Sequence, residues 1–136
     1  MDETKAREYY IKIKTIHDHI DRCTEQISSL DERFLELQSS LDDVQRISAL
    51  TAPTESLVPI ANGIFVSATL QPSQEVFVNV GSDVVVKRSV TRATELLLSQ
   101  QEKLSSFREK LVRQREELVQ VVSDIEREVE GLVDNV

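Results

Sequence analysis

The side chains able to do chemistry are few, and their spacing argues against each kind of chemistry in turn. His17 and His19 are the only histidines. Two residues apart on a helix, they point roughly 200° apart and cannot close on one metal ion. A single cysteine, Cys23, excludes an internal disulfide and a cysteine-based zinc cluster. It falls on a repeating apolar stripe, where a thiol behaves as a small hydrophobe. Gly81-Ser82-Asp83 is turn chemistry and not a phosphate cradle. No Ser/His/Asp set and no paired-carboxylate cleft can be assembled. The chain is therefore read as non-enzymatic, with no cofactor and no metal.

What is left is adhesive chemistry near the two termini. Tyr9, Tyr10 and Ile11 are consecutive, so they cannot all face one helical seam. Leu132, Val133 and Val136 flank the C-terminus. Seam packing accounts for Tyr9, Ile13, Leu132 and Val136, and leaves Tyr10, Ile11 and Val133 at least partly exposed. Asp124, Glu126, Glu128, Glu130 and Asp134 crowd a helix C-terminus, where the macrodipole disfavours negative charge. Gly131 weakens the same segment by about 1 kcal/mol relative to Ala. These features predict a frayed tip carrying exposed apolar side chains: Tyr9, Tyr10, Ile11, Ile13, Leu132, Val133 and Val136 are the candidate binding residues.

The elements that hold these residues follow from composition. Residues 1–50 carry 18 charged side chains and no Pro or Gly; residues 51–90 carry 5 charges, all three prolines and two of the three glycines; residues 91–136 return to 17 charges and one glycine. The helix breakers are confined to the middle. In the first part Ala6, Tyr9, Ile13, Ile16, Ile20, Cys23, Ile27, Leu30, Phe34, Leu37, Leu41 and Val44 step by three and four. A repeat averaging 3.5 residues is a coiled-coil seam, narrower than the face of a globular helix. Such a helix would be on the order of 70 Å long. In the last part Leu104, Leu111, Leu118, Ile125 and Leu132 recur every seven residues. Gln101, Arg108 and Arg115 make half of this second seam polar near its middle, a device that fixes register or snorkels past the seam.

In the middle segment the period changes to two. Ser56–Ala61 reads as a strand, and Asn62-Gly63 as a type I′ hairpin turn. Ile64, Val66, Ala68 and Leu70 alternate with Phe65, Ser67 and Thr69. After a loop at residues 71–74, Val76, Val78 and Val80 alternate with Phe77 and Asn79. Gly81-Ser82 reads as a type II′ turn into the Val84-Val85-Val86 run, and Ser89 or Thr91 caps the second helix. Pro59 places the first strand at a sheet edge. Four short strands with apolar residues on both faces cannot be covered by two tethered helices, and bare they invite aggregation. Val58, Ile60, Ile64, Val66, Leu70, Val76, Val78, Val80, Val84 and Val86 are thus expected to assemble with other copies, or related inserts, into a shared β core.

The fold class is mainly α. A long antiparallel two-helix coiled coil carries two inserted β hairpins, which assemble into an intersubunit β barrel. One domain over residues 1–136 is expected, with helices at about 4–50 and 90–134 and hairpins at about 55–88. Ile13 should lie opposite Ile125, and Leu41 opposite Leu97. A net charge of −8 with no dense basic tract argues against nucleic acid or an anionic membrane as partner. No apolar run approaches the ~20 residues that span a bilayer, and the charged N-terminus lacks a signal h-region, so a cytoplasmic location is expected.

Glu55-Ser56-Leu57-Val58-Pro59-Ile60 with Gly63-Ile64-Phe65-Val66 resembles the "LVPLG…F(V/I)" stretch of prefoldin α-class subunits. Val78 to Lys87 resembles their "V-x-VG-x-G-(V/Y)-x-V-(E/K)-K" stretch. The likeness covers the whole chain in architecture and about 35 residues in motif, and two hairpins fit the α class where the β class has one. Ala61-Asn62 stands for the expected glycines, and Asp83 for the second glycine of the later motif. The resemblance implies an ATP-independent chaperone subunit, most simply archaeal. Two α-class copies would join four β-class subunits in a hexamer, bind unfolded proteins at the coiled-coil tips, and deliver them to a group II chaperonin. The alternative is a structural or adaptor coiled coil engaging one specific folded partner.

Overall fold

The computed structural model describes residues 3–134. Their order is α1 (Glu3–Ser48), β1 (Thr54–Ala61), β2 (Ile64–Leu70), β3 (Glu75–Gly81), β4 (Val84–Ser89) and α2 (Val90–Asp134). Both helices follow from long stretches of good helix formers without an interior proline. The chain divides into two compact units. One comprises the segment up to Phe34 with that from Lys103 onward, and the other runs from Leu35 to Glu102.

The first unit is a pair of antiparallel helical segments. Cys23 and Ile27 of α1 and Leu111 and Val122 of α2 are buried between them. These are stripe positions in both sequences, so the free thiol of Cys23 is a packing group. Two polar positions of the α2 seam are satisfied across the pair. Arg108 Nε donates to Asp31 Oδ1 at 2.7 Å, and Arg115 Nη1 donates to Thr24 Oγ1 at 3.4 Å. In the second unit Leu41, Val90 and Ala93 are buried, and the buried Gln101 donates from Nε2 to Gln38 Oε1 at 3.2 Å. The acceptors Thr24, Asp31 and Gln38 stand seven residues apart on α1, and the donors Arg115, Arg108 and Gln101 seven apart on α2. Each pair agrees to within a residue with the expected antiparallel register. At each of these three pairs α2 supplies the donor and α1 the acceptor.

The second unit also holds the hairpins, which form two separate two-stranded antiparallel sheets. Val58 pairs with Val66 in the first, and Val78 with Val86 in the second. Each ladder shifts register just before its turn, between Pro59 and Ala61 and between Asn79 and Gly81.

Both turns differ from the sequence expectation. In the first, Gly63 has φ +74°, while Asn62 is not left-handed. A type I′ turn needs both residues at positive φ; one left-handed glycine beside a register shift is a glycine-bulge turn instead. In the second, Ser82 and Asp83 have φ +52° and +60°. They are therefore the two central residues of a I′-like turn, shifted by one from the expected Gly81-Ser82. Gly81 absorbs the shift at φ +117°, where its N–H donates to Asn79 Oδ1 at 2.9 Å. An Asp tolerates the left-handed region better than most residues but still less well than Gly.

Short polar contacts tie the hairpins to the helix ends. Ser89 caps α2, its Oγ accepting the Arg92 N–H at 3.1 Å. Gln74, in the loop between the hairpins, does more than connect them. Its Nε2 donates to the carbonyl of Ser48 at 3.1 Å, and its own carbonyl accepts the Val90 N–H at 2.7 Å. One side chain and one backbone group thereby satisfy orphan groups at the end of α1 and the start of α2.

Two outcomes are expected. Asp83→Gly relieves a left-handed non-glycine residue and should stabilise the protein by about 0.5–1 kcal/mol, read as a higher Tm. A thermal double-mutant cycle over Asp31→Ala and Arg108→Ala should give a coupling of about 0.5–1 kcal/mol that shrinks in high salt, because the pair is half exposed. Additive single effects would show that the pair contributes nothing to register.

Candidate functional site: helix ends and hairpin faces

Neither candidate surface is an enclosed cleft, although an open groove runs along Lys5 to Ile16 of α1. In the first unit, the start of α1 and the end of α2 bring Tyr9, Ile13 and Leu132 half-buried into the seam. Tyr10, Ile11 and Val133 stay outside, with 67%, 57% and 53% of their surface exposed. The helical spacing forces this division, since a two-helix seam accepts only one residue in three or four. Val136 lies outside the described residues. The expected fraying is not seen among them: α2 runs unbroken through Gly131 to Asp134.

Electrostatics at this end are divided between the helices. Lys5, Arg7, Lys12 and Lys14 are exposed on α1 beside Glu3 and Glu8, and Asp124, Glu126, Glu128 and Glu130 are exposed on α2 beside Arg127. Loss of surrounding water, and then the Glu128 carboxylate, hold the Tyr9 hydroxyl above its ordinary value of 10.0. Its neutral form is therefore favoured in the folded state. That contribution is present below pH 10 and is lost as pH rises through the raised value.

In the second unit, Val76, Val78 and Val86 are half-buried, while Val58, Ile60, Ile64, Val66, Leu70, Val80 and Val84 are exposed. The opposite hairpin faces are no less apolar. Leu57 and Phe65 project from the first sheet, and Phe77 and Val85 from the second. Leu57 and Phe77 are the barest of these, at 70% and 71% exposed. The sequence shows apolar residues on both faces, but the expected assembly set does not include these four. Their signal was present, because a hydrophobic residue at both parities of a strand means that neither face is a solvent face.

The groups considered for chemistry remain apart. His17 and His19 are exposed, and among the described residues no three His, Cys, Asp or Glu side chains are placed to share a metal ion. No helix among those residues is long and apolar enough to cross a membrane.

Two long helices joined through two separate β hairpins, with apolar residues bare on the hairpins and at the helix ends, define a mainly α helical-hairpin fold. The family model for the prefoldin subunit matches residues 16–134, and the chain belongs to the prefoldin family, a family of chaperone subunits. It is similar to the prefoldin subunit alpha of Thermofilum pendens, 28% identical over 103 residues that span 76% of this chain and 77% of that one. It is also similar to the prefoldin subunit alpha of Methanosphaera stadtmanae, 31% identical over 65% of this chain and 62% of that one. Among solved structures, the filamentous PFD of Methanocaldococcus jannaschii shares the fold at a TM-score of 0.53, with 22% identity, across 99% of this chain and 100% of that one.

Tyr9 and Tyr10 are the only two tyrosines, so a Tyr10→Phe variant reports Tyr9 alone. Its tyrosinate absorbance should titrate with a midpoint above 10.0, and Glu128→Gln should move that midpoint part of the way back. An ordinary midpoint before the second substitution would remove Glu128 from the surroundings of Tyr9.

Proposed function

We propose that the chain is an α-class prefoldin subunit acting as an ATP-independent holdase. One observation carries the reading: large apolar side chains stand bare on two kinds of surface with different needs. The hairpin residues, Val58, Ile60, Ile64, Val66, Leu70, Val76, Val78, Val80, Val84 and Val86, are numerous, and Val58 pairs with Val66 and Val78 with Val86 across their strands. They suit permanent burial against other subunits, because an isolated two-stranded hairpin is at best marginally stable. A second copy and four β-class subunits would complete an intersubunit β barrel.

The tip residues are few, scattered and set among charges. Tyr9, Tyr10, Ile11, Ile13, Leu132, Val133 and Val136 suit weak, reversible contact with non-native polypeptide. Several arms acting on one client would gain by avidity what each lacks in affinity. Release to a group II chaperonin requires only that these contacts be individually weak, and no ATP-driven step is needed. In this role the chain is a single functional domain over residues 1–136, working in the cytoplasm.

The test substitutes Tyr10, Ile11 and Val133 together by Ser. Assembly with a β-class subunit, followed by native mass spectrometry, should be unchanged. Suppression of aggregation should fall severalfold across several unrelated denatured proteins. Unchanged suppression would remove the tip residues from the mechanism. Activity toward one folded partner alone would favour an adaptor.

A further inference from the structure

We infer that Asn62 is a self-modifying position: its side chain condenses with the Gly63 backbone nitrogen, and the turn of the first hairpin ages into an isoaspartyl link. The consequence for assembly rests on the assignment of this hairpin to subunit contacts, whereas the modification itself does not. Asn62 and Gly63 are the two residues between the paired Ala61 and Ile64, and both are exposed. Among the described residues no hydrogen bond holds the Asn62 side chain. Glycine follows it, with no Cβ to shield the attacking nitrogen. A Cβ added at Gly63 would meet nothing within 4 Å, so its surroundings leave the approach open. Asn79 is the internal contrast. Its Oδ1 accepts the Gly81 N–H at 2.9 Å, and the next residue is the β-branched Val80 inside β3.

The Gly63 nitrogen gives its proton to solvent and bonds to Asn62 Cγ, while the Cγ–Nδ2 bond breaks and Nδ2 leaves with a proton as ammonia. Water then opens the resulting succinimide. Cleavage of the bond from the Gly63 nitrogen to Cγ leaves an ordinary aspartyl residue. Cleavage of its bond to the main-chain carbonyl carbon routes the backbone through Cγ as isoaspartyl. Neither path consumes an oxidant or a reductant, and water is the only co-reactant. Both replace a neutral amide by a carboxylate in a chain already at net charge −8. The isoaspartyl path also adds a methylene to the main chain of the connection between Ala61 and Ile64. That connection closes directly after the register shift between Pro59 and Ala61, with Gly63 left-handed at φ +74°. A longer main chain does not fit the same closure, so the pairs of β1 and β2 nearest the turn should open.

The experiment ages the full chain in warm, mildly alkaline buffer made with heavy-oxygen water, then digests it for mass spectrometry with fragmentation that separates aspartyl from isoaspartyl. The peptide carrying Asn62 should convert an order of magnitude faster than that carrying Asn79, take up heavy oxygen, and contain isoaspartyl. Asn62→Gln should abolish conversion at that position, because the larger ring closes far more slowly. Aged and fresh chains are then mixed with a β-class subunit and compared by native mass spectrometry. The assembled fraction should fall in step with the isoaspartyl share, while aged Asn62→Gln should assemble like fresh protein. Equal conversion at Asn62 and Asn79, or no isoaspartyl product, would overturn the modification and leave the assembly reading standing. Conversion with undiminished assembly would overturn the opening of the turn. Failure of the fresh chain to assemble would instead overturn the assembly reading, with the conversion rates still deciding the modification.

Discussion

The seam between α1 and α2 sets the terms for everything else in this protein. A stripe repeating at 3.5 residues offers its partner only two positions in seven, so most of each helix surface faces water. Cys23, Ile27, Leu41, Leu111 and Val122 fill the stripe, and among the described residues no side chain is more deeply enclosed than these few percent of exposure. Many apolar side chains off the stripe are therefore bare unless another molecule covers them. The charged helix faces keep the pair in solution, while Tyr10, Ile11, Val133 and the hairpin residues are the places where that arrangement is given up.

The polar rungs across the seam carry a second consequence. An all-leucine seam would accept a helix of either kind in several registers. Here α2 presents Gln101, Arg108 and Arg115, and α1 presents Gln38, Asp31 and Thr24 as their acceptors. The cost of setting polar groups in a seam is thus offset by specificity, and the half-exposed setting of Arg108 and Asp31 keeps the desolvation cost low.

The hairpins solve a different problem with the same materials. Strand alternation places Val58 against Val66 and Val78 against Val86, but Leu57, Phe65, Phe77 and Val85 make the reverse faces apolar as well. A surface apolar on both sides has no solvated side to choose, which is the signature of strands destined for burial. The left-handed Ser82 and Asp83 show that backbone strain is tolerated at the turn, where the register shift before Gly81 requires it.

The order of elements, the limits of the helices, the seam positions and the antiparallel register were all legible in the sequence, because each depends on a local period or on a Pro or Gly that breaks it. The exposure of Tyr10, Ile11 and Val133 was legible for the same reason: consecutive residues cannot share one stripe. The turn types were not, since an Asn-Gly or Gly-Ser pair is compatible with more than one placement and the register of the flanking strands chooses among them. Nor was the bridging role of Gln74, whose two partners, Ser48 and Val90, lie far from it along the chain. The identity of the acceptors for Arg108 and Arg115 likewise needed the helices set side by side. Periodicity told which residues face a partner, and only the tertiary structure, by bringing distant segments within hydrogen-bonding reach, decided which partner each polar one meets.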